Sequence, residues 1–361
     1  MYISALKLAN FRNFEQAEFT FDKDKTAVCG DNARGKSNLL EAIYFLAIAK
    51  SGRGAKDRHV LRWGANYFSV DAVVEREDQS LPIRIAYDSR VGKKKAYLKD
   101  HPLPRLSCLV GAFNAVLFSP EDVDLVLRDP LQRRRILDIL VSQSNASYLS
   151  DLKHYYRVLA QRNRLLRDRR TQLLSDPGQL APWDAQLAEH GARIIQHRMD
   201  ALDETRPMVE AYYRRIASTS EQLRTVYRSL VPPDKRDQGR EVLASALDGR
   251  RAEEVGLGFT LSGPHRDNLV FTLDGRGAHQ YASQGQLKSV LLAWKLAEGA
   301  FLEARTQHRP VLLMDDIFSE LDRSRALSLM DMVTSFGQVV LTSARDPDLK
   351  FGAQGFRMVE L

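Results

Sequence analysis

Cysteine is almost missing from this chain: Cys29 and Cys108 are the two among 361 residues. That rules out the disulfide framework of a small secreted domain and fits a reducing compartment, with both thiols expected as small core residues. No apolar run approaches the roughly 20 residues of a membrane helix. The opening stretch MYISALKLANFRNFEQ lacks the charged start, apolar run and cleavage site of a secretory signal. The expectation is a cytoplasmic protein without membrane attachment. Internal repeats, low-complexity tracts and a sustained heptad are also lacking, which excludes a solenoid and a long coiled coil. The remaining composition, 44% apolar and 27% charged, suits an ordinary globular chain of two or three domains.

The charge is unevenly spread. Between Arg128 and Arg170 stand ten arginines and one lysine against four aspartates, an excess equal to the whole chain's +7. A polyanion is the partner such a segment invites. Along the chain, MYISALKLANF, AEFTF and KTAVCG read as strands. YFSVDAVVER and LPIRIAYD alternate as half-buried strands do. SCLVGAFNAVLFSP reads as one or two buried strands. Ser119-Pro120-Glu121-Asp122 has the makeup of a helix start, and from there to about Val255 the pattern is helical. LGFTLSGP and NLVFTLDG read as strands again, followed by a helix from about Gly285, the strand PVLLMDD, a helix over residues 324–336 and the strand QVVLTS. The fold class is therefore α/β with an inserted helical arm. Residues 1–118 and 257–361 are expected to form one head, and 119–256 the arm.

Three motifs carry chemistry. Gly30-Asp31-Asn32-Ala33-Arg34-Gly35-Lys36-Ser37 follows a strand and opens a helix whose apolar stripe includes Leu39, Leu40, Ile43, Leu46 and Ala47. It has the spacing of a phosphate-binding P-loop. Backbone N–H groups would wrap the phosphates, Lys36 would reach the β- and γ-phosphates, and Ser37 would ligate Mg²⁺. Four apolar residues then lead into Asp315 and Asp316. A buried strand would deliver Asp315 to the metal, and Asp316 would hold or deprotonate the attacking water. Ser283-x-Gly285-Gln286 opens a helix and makes a second anion-binding N-terminus. In the arm, DNA phosphate is the expected partner of some of Arg128, Arg133, Arg134, Lys153, Arg157, Arg162, Arg164, Arg167, Arg169 and Arg170, without sequence preference and with strong salt dependence.

The order of P-loop, Ser-x-Gly-Gln and paired acids, with SELD (Ser319 to Asp322) just after, resembles ABC-type ATPases. KLANFRNF, NLLEAIY, SPEDVDLVLRDPLQRRRILD, YYRVLAQRNRLLR, SGPHRDN, ASQGQLK and DDIFSELD follow in the order of the RecF family, bacterial DNA-repair proteins related to SMC-type ATPases, over nearly the whole chain. That resemblance implies an ABC-type head that binds ATP, dimerises as the signature loop of one subunit covers the nucleotide of another, and acts on DNA. It further implies work with RecO and RecR to load RecA at gaps and stalled forks. By the same resemblance Arg12 would lie near the nucleotide. Three departures stand out. Ala33 replaces a usual Gly, Asn268 replaces a usual Asp after GPHRD, and no histidine sits near VVLTSARD, where Thr342 or Ser343 would face the γ-phosphate instead. With Asp316 rather than Glu as the base, hydrolysis is expected to be slow. A transporter ATPase subunit and a small-molecule kinase are the rival readings. The first calls for a switch histidine; the second has no use for the Ser283 corner.

Overall fold

A computed structural model describes residues 1–31, 33–77, 79–119, 123, 129–170, 177–217, 219–343 and 355–361. Up to residue 118 the chain forms β1 (Tyr2–Phe11), β2 (Phe14–Thr20), β3 (Lys25–Cys29), α1 (Lys36–Ile48), β4 (Tyr67–Arg76), β5 (Gln79–Asp88), β6 (Lys93–Leu98), β7 (His101–Pro102) and β8 (Ala115–Phe118). Helices follow: α2 (Pro130–Ser144), α3 (Ala146–Arg170) and α4 (Ala181–Ala217), then β9 (Leu223–Arg228), α5 (Gly239–Gly249) and α6 (Arg251–Leu257). The last stretch holds β10 (Asn268–Leu273), β11 (Arg276–Gly277), α7 (Gln284–Thr306), β12 (Val311–Asp315), α8 (Arg323–Val333), β13 (Val339–Ser343) and β14 (Arg357–Glu360). The helix expected to start at Pro120 falls largely outside the described residues.

Contacts divide the chain into two units. One comprises Met1–Leu125, Met208–Leu223 and Tyr281–Leu361; the other comprises Val126–Pro207 and Arg224–Gln280. This differs from the limits expected at 119 and 257. Strand β10 pairs with β9 on one side and β11 on the other, and residues 257–280 go with the helical unit, whereas 208–223 go with the first.

Among the described residues the first unit has two sheets. One is antiparallel, in the order β2-β1-β4-β5-β6-β7. Its half-buried character shows in β4, where Phe68, Val70, Ala72 and Val74 point inward, as the alternation requires. The other is parallel, in the order β14-β3-β13-β12-β8. Every residue of β12 and β13 is buried, which is why these strands read as unbroken apolar runs. Helix α1 packs against strands of both sheets. Its buried residues run without a gap from Leu39 to Ala47, Glu41 among them, wider than the single stripe the sequence suggested. Phe11, Phe45 and Phe68 join β1, α1 and β4 edge to face, with ring centroids 5.7–5.9 Å apart. Each such pair adds about 0.5–1.5 kcal/mol beyond area burial. Neither cysteine lies in the core: Cys29 ends β3 half-buried, and Cys108 is exposed on the short turn Leu106–Cys108.

The second unit is organised around buried arginine. Arg198 of α4 is fully buried. It donates to Asp138 Oδ1 at 2.8 Å and to the Pro264 carbonyl at 2.9 Å, and it also reaches the hydroxyls of Tyr148 and Tyr227 at 3.1 and 3.2 Å. Burial alone would lower the Arg198 pKa, but Asp138 and its neighbours raise it well above the ordinary value. The Gly263-Pro264-His265-Arg266-Asp267 stretch threads this core. His265 Nδ1 lies 2.6 Å from the Tyr155 hydroxyl. Asp267 Oδ2 accepts from Tyr227 at 2.5 Å, and Asn268 Oδ1 accepts from Arg133 at 2.9 Å. The expected strand LGFTLSGP is instead a loop. Its backbone donors go to side chains, Thr260 N to Asn163 Oδ1 at 2.8 Å and Leu261 N to Glu254 Oε1 at 2.6 Å, leaving no ladder to join.

Candidate nucleotide site and basic helix

The P-loop leaves the carboxyl end of β3 and enters α1, at the edge of a parallel sheet where ligands of α/β folds bind. Gly30 and Gly35 have φ of 153° and 109°. A side chain on either would run into backbone or amide atoms: the Leu361 carbonyl for Gly30, Asn13 for Gly35. Ala33 holds φ 68° without being glycine. Asn32 lies outside the described residues. Lys36 is 8% exposed; its ammonium donates to the carbonyls of Gly30 at 2.6 Å and Asp31 at 2.9 Å. The cation thus sits inside the loop's curve, where a phosphate would meet it. Arg34 contributes its carbonyl, which accepts from Asn13 Nδ2 at 3.0 Å, and Asn13 Oδ1 accepts from Asn38 at 2.8 Å.

The acid strand meets the loop. Ser37 Oγ donates to Asp315 Oδ1 at 2.8 Å, and Thr342 Oγ1 donates to the same oxygen at 2.8 Å. Strands β12 and β13 are parallel neighbours with Asp315 opposite Thr342, which is what brings that hydroxyl to the carboxylate. Arg53 Nη2 lies 3.4 Å from Asp315 Oδ2. Asp316 turns the chain with φ 45°, and its N–H donates to Thr342 Oγ1 at 3.0 Å. Thr342 therefore braces both Asp315 and Asp316. The hydroxyl of Ser37 and the carboxylate of Asp315 are hard oxygen donors held together, the pairing a Mg²⁺ with mostly phosphate and water ligands needs. Among the described residues no group of three or more His, Cys, Asp or Glu gathers into a metal cage, and this kind of site requires none.

Arg12 sits in a left-handed turn, φ 54°, between β1 and β2. Its guanidinium is bidentate on Glu41 of α1, at 2.9 and 2.8 Å, and donates to the His59 carbonyl at 2.9 Å. Glu41 in turn accepts from Ser51 at 2.5 Å. The structure gives Arg12 to this buried carboxylate, and it is the next residue, Asn13, that touches the loop. Neither Asn13, inside KLANFRNF, nor Arg53, outside every motif above, was expected at this site.

At the other corner, Ser283 caps α7. Ser283 Oγ accepts from Gln286 N at 3.3 Å, while Gln286 Oε1 accepts from Ser283 N at 2.7 Å, a reciprocal capping box. A side chain at Gly285 would collide with the Arg325 guanidinium, which pairs with Asp322 at 3.3 Å.

In the second unit, the arm cations separate into two classes. Lys153, Arg157, Arg164 and Arg167 of α3 are exposed and share one face, within about 80° of arc at helical spacing. The opposite face carries Tyr155, Leu159 and Leu166, and Arg162 falls on it. Arg162 is fully buried, donating to Asp184 Oδ1 at 2.6 Å and to Thr260 Oγ1 at 2.9 Å and pairing with Glu254 at 2.6 Å. The expectation that it contacts phosphate is corrected: helical periodicity places it in the core. Arg133 is 6% exposed and held by Asn268; burial lowers its pKa. Arg134 donates to the Asp267 carbonyl at 2.8 Å. Arg128 and the side chains of Arg169 and Arg170 lie outside the described residues. No helix among the described residues is long and apolar enough to cross a membrane.

Comparison with known proteins extends this geometry. The RecF/RecN/SMC N terminal domain family matches residues 2–360. The DNA replication and repair protein RecF of Heliobacterium modesticaldum is 39% identical over 95% of this chain and 92% of its own length. The RecF of Bacillus cereus strain B4264 is 34% identical over 95% and 92%. Among solved structures, the recombination mediator protein RecF-ATP in the RecFOR pathway superposes with a TM-score of 0.89 at 30% identity, covering 96% of this chain and 93% of that one. An Smc head bound to the C-winged helix domain of ScpA shares the fold, with a TM-score of 0.56 at 17% identity over 96% and 90% of the two chains.

Proposed function

The chain belongs to the RecF family of ABC-type ATPase heads, and on that premise we propose that it is an ATP-dependent, dimerising DNA-binding protein of recombinational repair. It works with RecO and RecR to promote RecA loading at gaps and stalled forks. The observation that carries this reading is the 2.8 Å contact between Ser37 and Asp315, which joins the phosphate loop to the acid strand. The relative solved as RecF-ATP in the RecFOR pathway supports the choice of nucleotide and of pathway.

In this reading the loop N–H groups and Lys36 take the phosphates of ATP. Ser37 and Asp315 hold Mg²⁺, which neutralises charge on the phosphate oxygens when bound. Asp316 orients the attacking water and receives its proton. Its short side chain and constrained φ make this a slow step, so hydrolysis is a timer and kcat stays below tens per second. The Ser283 corner of a second copy closes over the nucleotide, making ATP the link between two heads. The exposed face of α3 meets the DNA backbone.

A duplex-DNA gel shift with and without ATP, together with sedimentation of the protein alone, tests the proposal. ATP should drive dimerisation and tighten DNA binding, and Lys36→Met should abolish both effects. A parent protein that stays monomeric with ATP, or DNA binding indifferent to ATP, would sink it.

A further inference from the structure

The amide of Gln286 is anchored at both its oxygen and its nitrogen within its own chain. Its Oε1 accepts from Ser283 N at 2.7 Å, and its Nε2 donates to Glu221 Oε1 at 2.7 Å. Reversing the amide would set an N–H against an N–H and a carbonyl against a carboxylate, so these partners fix its orientation. Glu221 is itself held: its Oε2 accepts from the hydroxyl of the buried Tyr213 at 3.0 Å. Tyr213 belongs to α4, and all three residues lie in the first unit. The consequence reaches Ser283. Its oxygen accepts from Gln286 N at 3.3 Å, and a hydroxyl accepting there still has its proton to donate.

We propose that Glu221 is a positioning residue for the Ser283–Gly285–Gln286 corner. It locks the Gln286 amide so that the Ser283 hydroxyl donates outward, to the terminal phosphate of a nucleotide held by a second copy of this chain. Gln286 then acts through Ser283. The inference rests on the trans-closure reading above and adds to it the residue that sets the corner's geometry. A capping box alone leaves the Gln286 side-chain N–H groups to water. The carboxylate supplies a charge-assisted bond, the stronger kind, from a segment that precedes α7 by more than 60 residues.

The test compares Glu221→Ala, Glu221→Gln, Gln286→Glu and the double variant Glu221→Gln/Gln286→Glu with the parent full-length protein. Readouts are ATP-dependent dimerisation by sedimentation velocity, ATP affinity of dilute monomer, steady-state kcat and KM, and Tm. Glu221→Ala should weaken ATP-dependent dimerisation about tenfold and lower kcat, with monomer ATP affinity and Tm unchanged. Glu221→Gln keeps an acceptor oxygen and should recover most of the loss. Gln286→Glu places two carboxylates face to face and should do worse than Glu221→Ala. Adding Glu221→Gln to it reverses the hydrogen bond and should restore dimerisation. The proposal is overturned if Glu221→Ala dimerises like the parent, if it loses Tm and monomer ATP binding together, or if the reversed pair fails to rescue. Ser283→Arg separates the two levels: if that variant still dimerises with ATP, trans closure itself is wrong; if it does not while Glu221→Ala does, only the role of Glu221 fails.

Discussion

Ala33 is the residue where the phosphate loop is strained. A left-handed conformation costs a non-glycine residue roughly 1–2 kcal/mol, against about 0.5–1 kcal/mol of extra chain entropy that glycine loses on folding. Ala33→Gly should therefore stabilise the nucleotide-free protein by about 0.5–1 kcal/mol in urea denaturation. An unchanged or lower midpoint would show that the turn is relaxed as it stands. Gly263 is the opposite case. With φ 129° and the Tyr155 hydroxyl where a Cβ would go, Gly263→Ala combines backbone strain with overpacking and should cost about 2–5 kcal/mol by the same measurement. Which residues were legible from sequence follows from how they reach their sites. Lys36, Ser37 and Asp315 lie in contiguous motifs whose spacing states their chemistry. Asn13, Arg53, Glu221 and Arg325 arrive from other elements, and only the fold brings them in.

Helix α3 shows the same division at the scale of an element. Its composition marked it as basic, but its register decides which cations face outward. Neutralising Lys153, Arg157, Arg164 or Arg167 should weaken binding to all DNA sequences alike, each lowering the slope of log affinity against log salt by about 1. Arg162→Ala should leave that slope alone and destabilise the unit by about 3–5 kcal/mol, because Glu254 would remain fully buried without its cation, while Asp184 keeps Arg251 at 3.1 Å. A salt slope that drops with Arg162→Ala while stability holds would reverse the assignment. Strands with strict alternation or unbroken apolar runs, β4, β12 and β13, were readable. Strand β9 was not, since LRTVYR follows a 37-residue helix and looks like its continuation. LGFTLSGP misled for a different reason: its alternation serves side-chain hydrogen bonds instead of a ladder.

Taken as a whole, the molecule should respond to acid through the core of its second unit. Burial pulls the His265 pKa down to about 4 from 6.5. The unfolded chain therefore binds a proton below about pH 6.5 that the folded chain refuses until about pH 4. Stability falls as pH drops through that window, by roughly 3 kcal/mol from this one residue. Asp267, whose pKa burial raises, acts in the opposite sense. The His265 share is isolated by comparing parent and His265→Gln denaturation between pH 7 and pH 4. The variant should lose less stability across that interval, and equal losses would refute the assignment. Cysteine scarcity has a practical consequence at this scale. Once Cys29 is replaced by serine, exposed Cys108 becomes the single attachment point for a nitroxide probe. Dipolar spectroscopy between two such probes would then report directly whether ATP brings two copies together, and at what spacing.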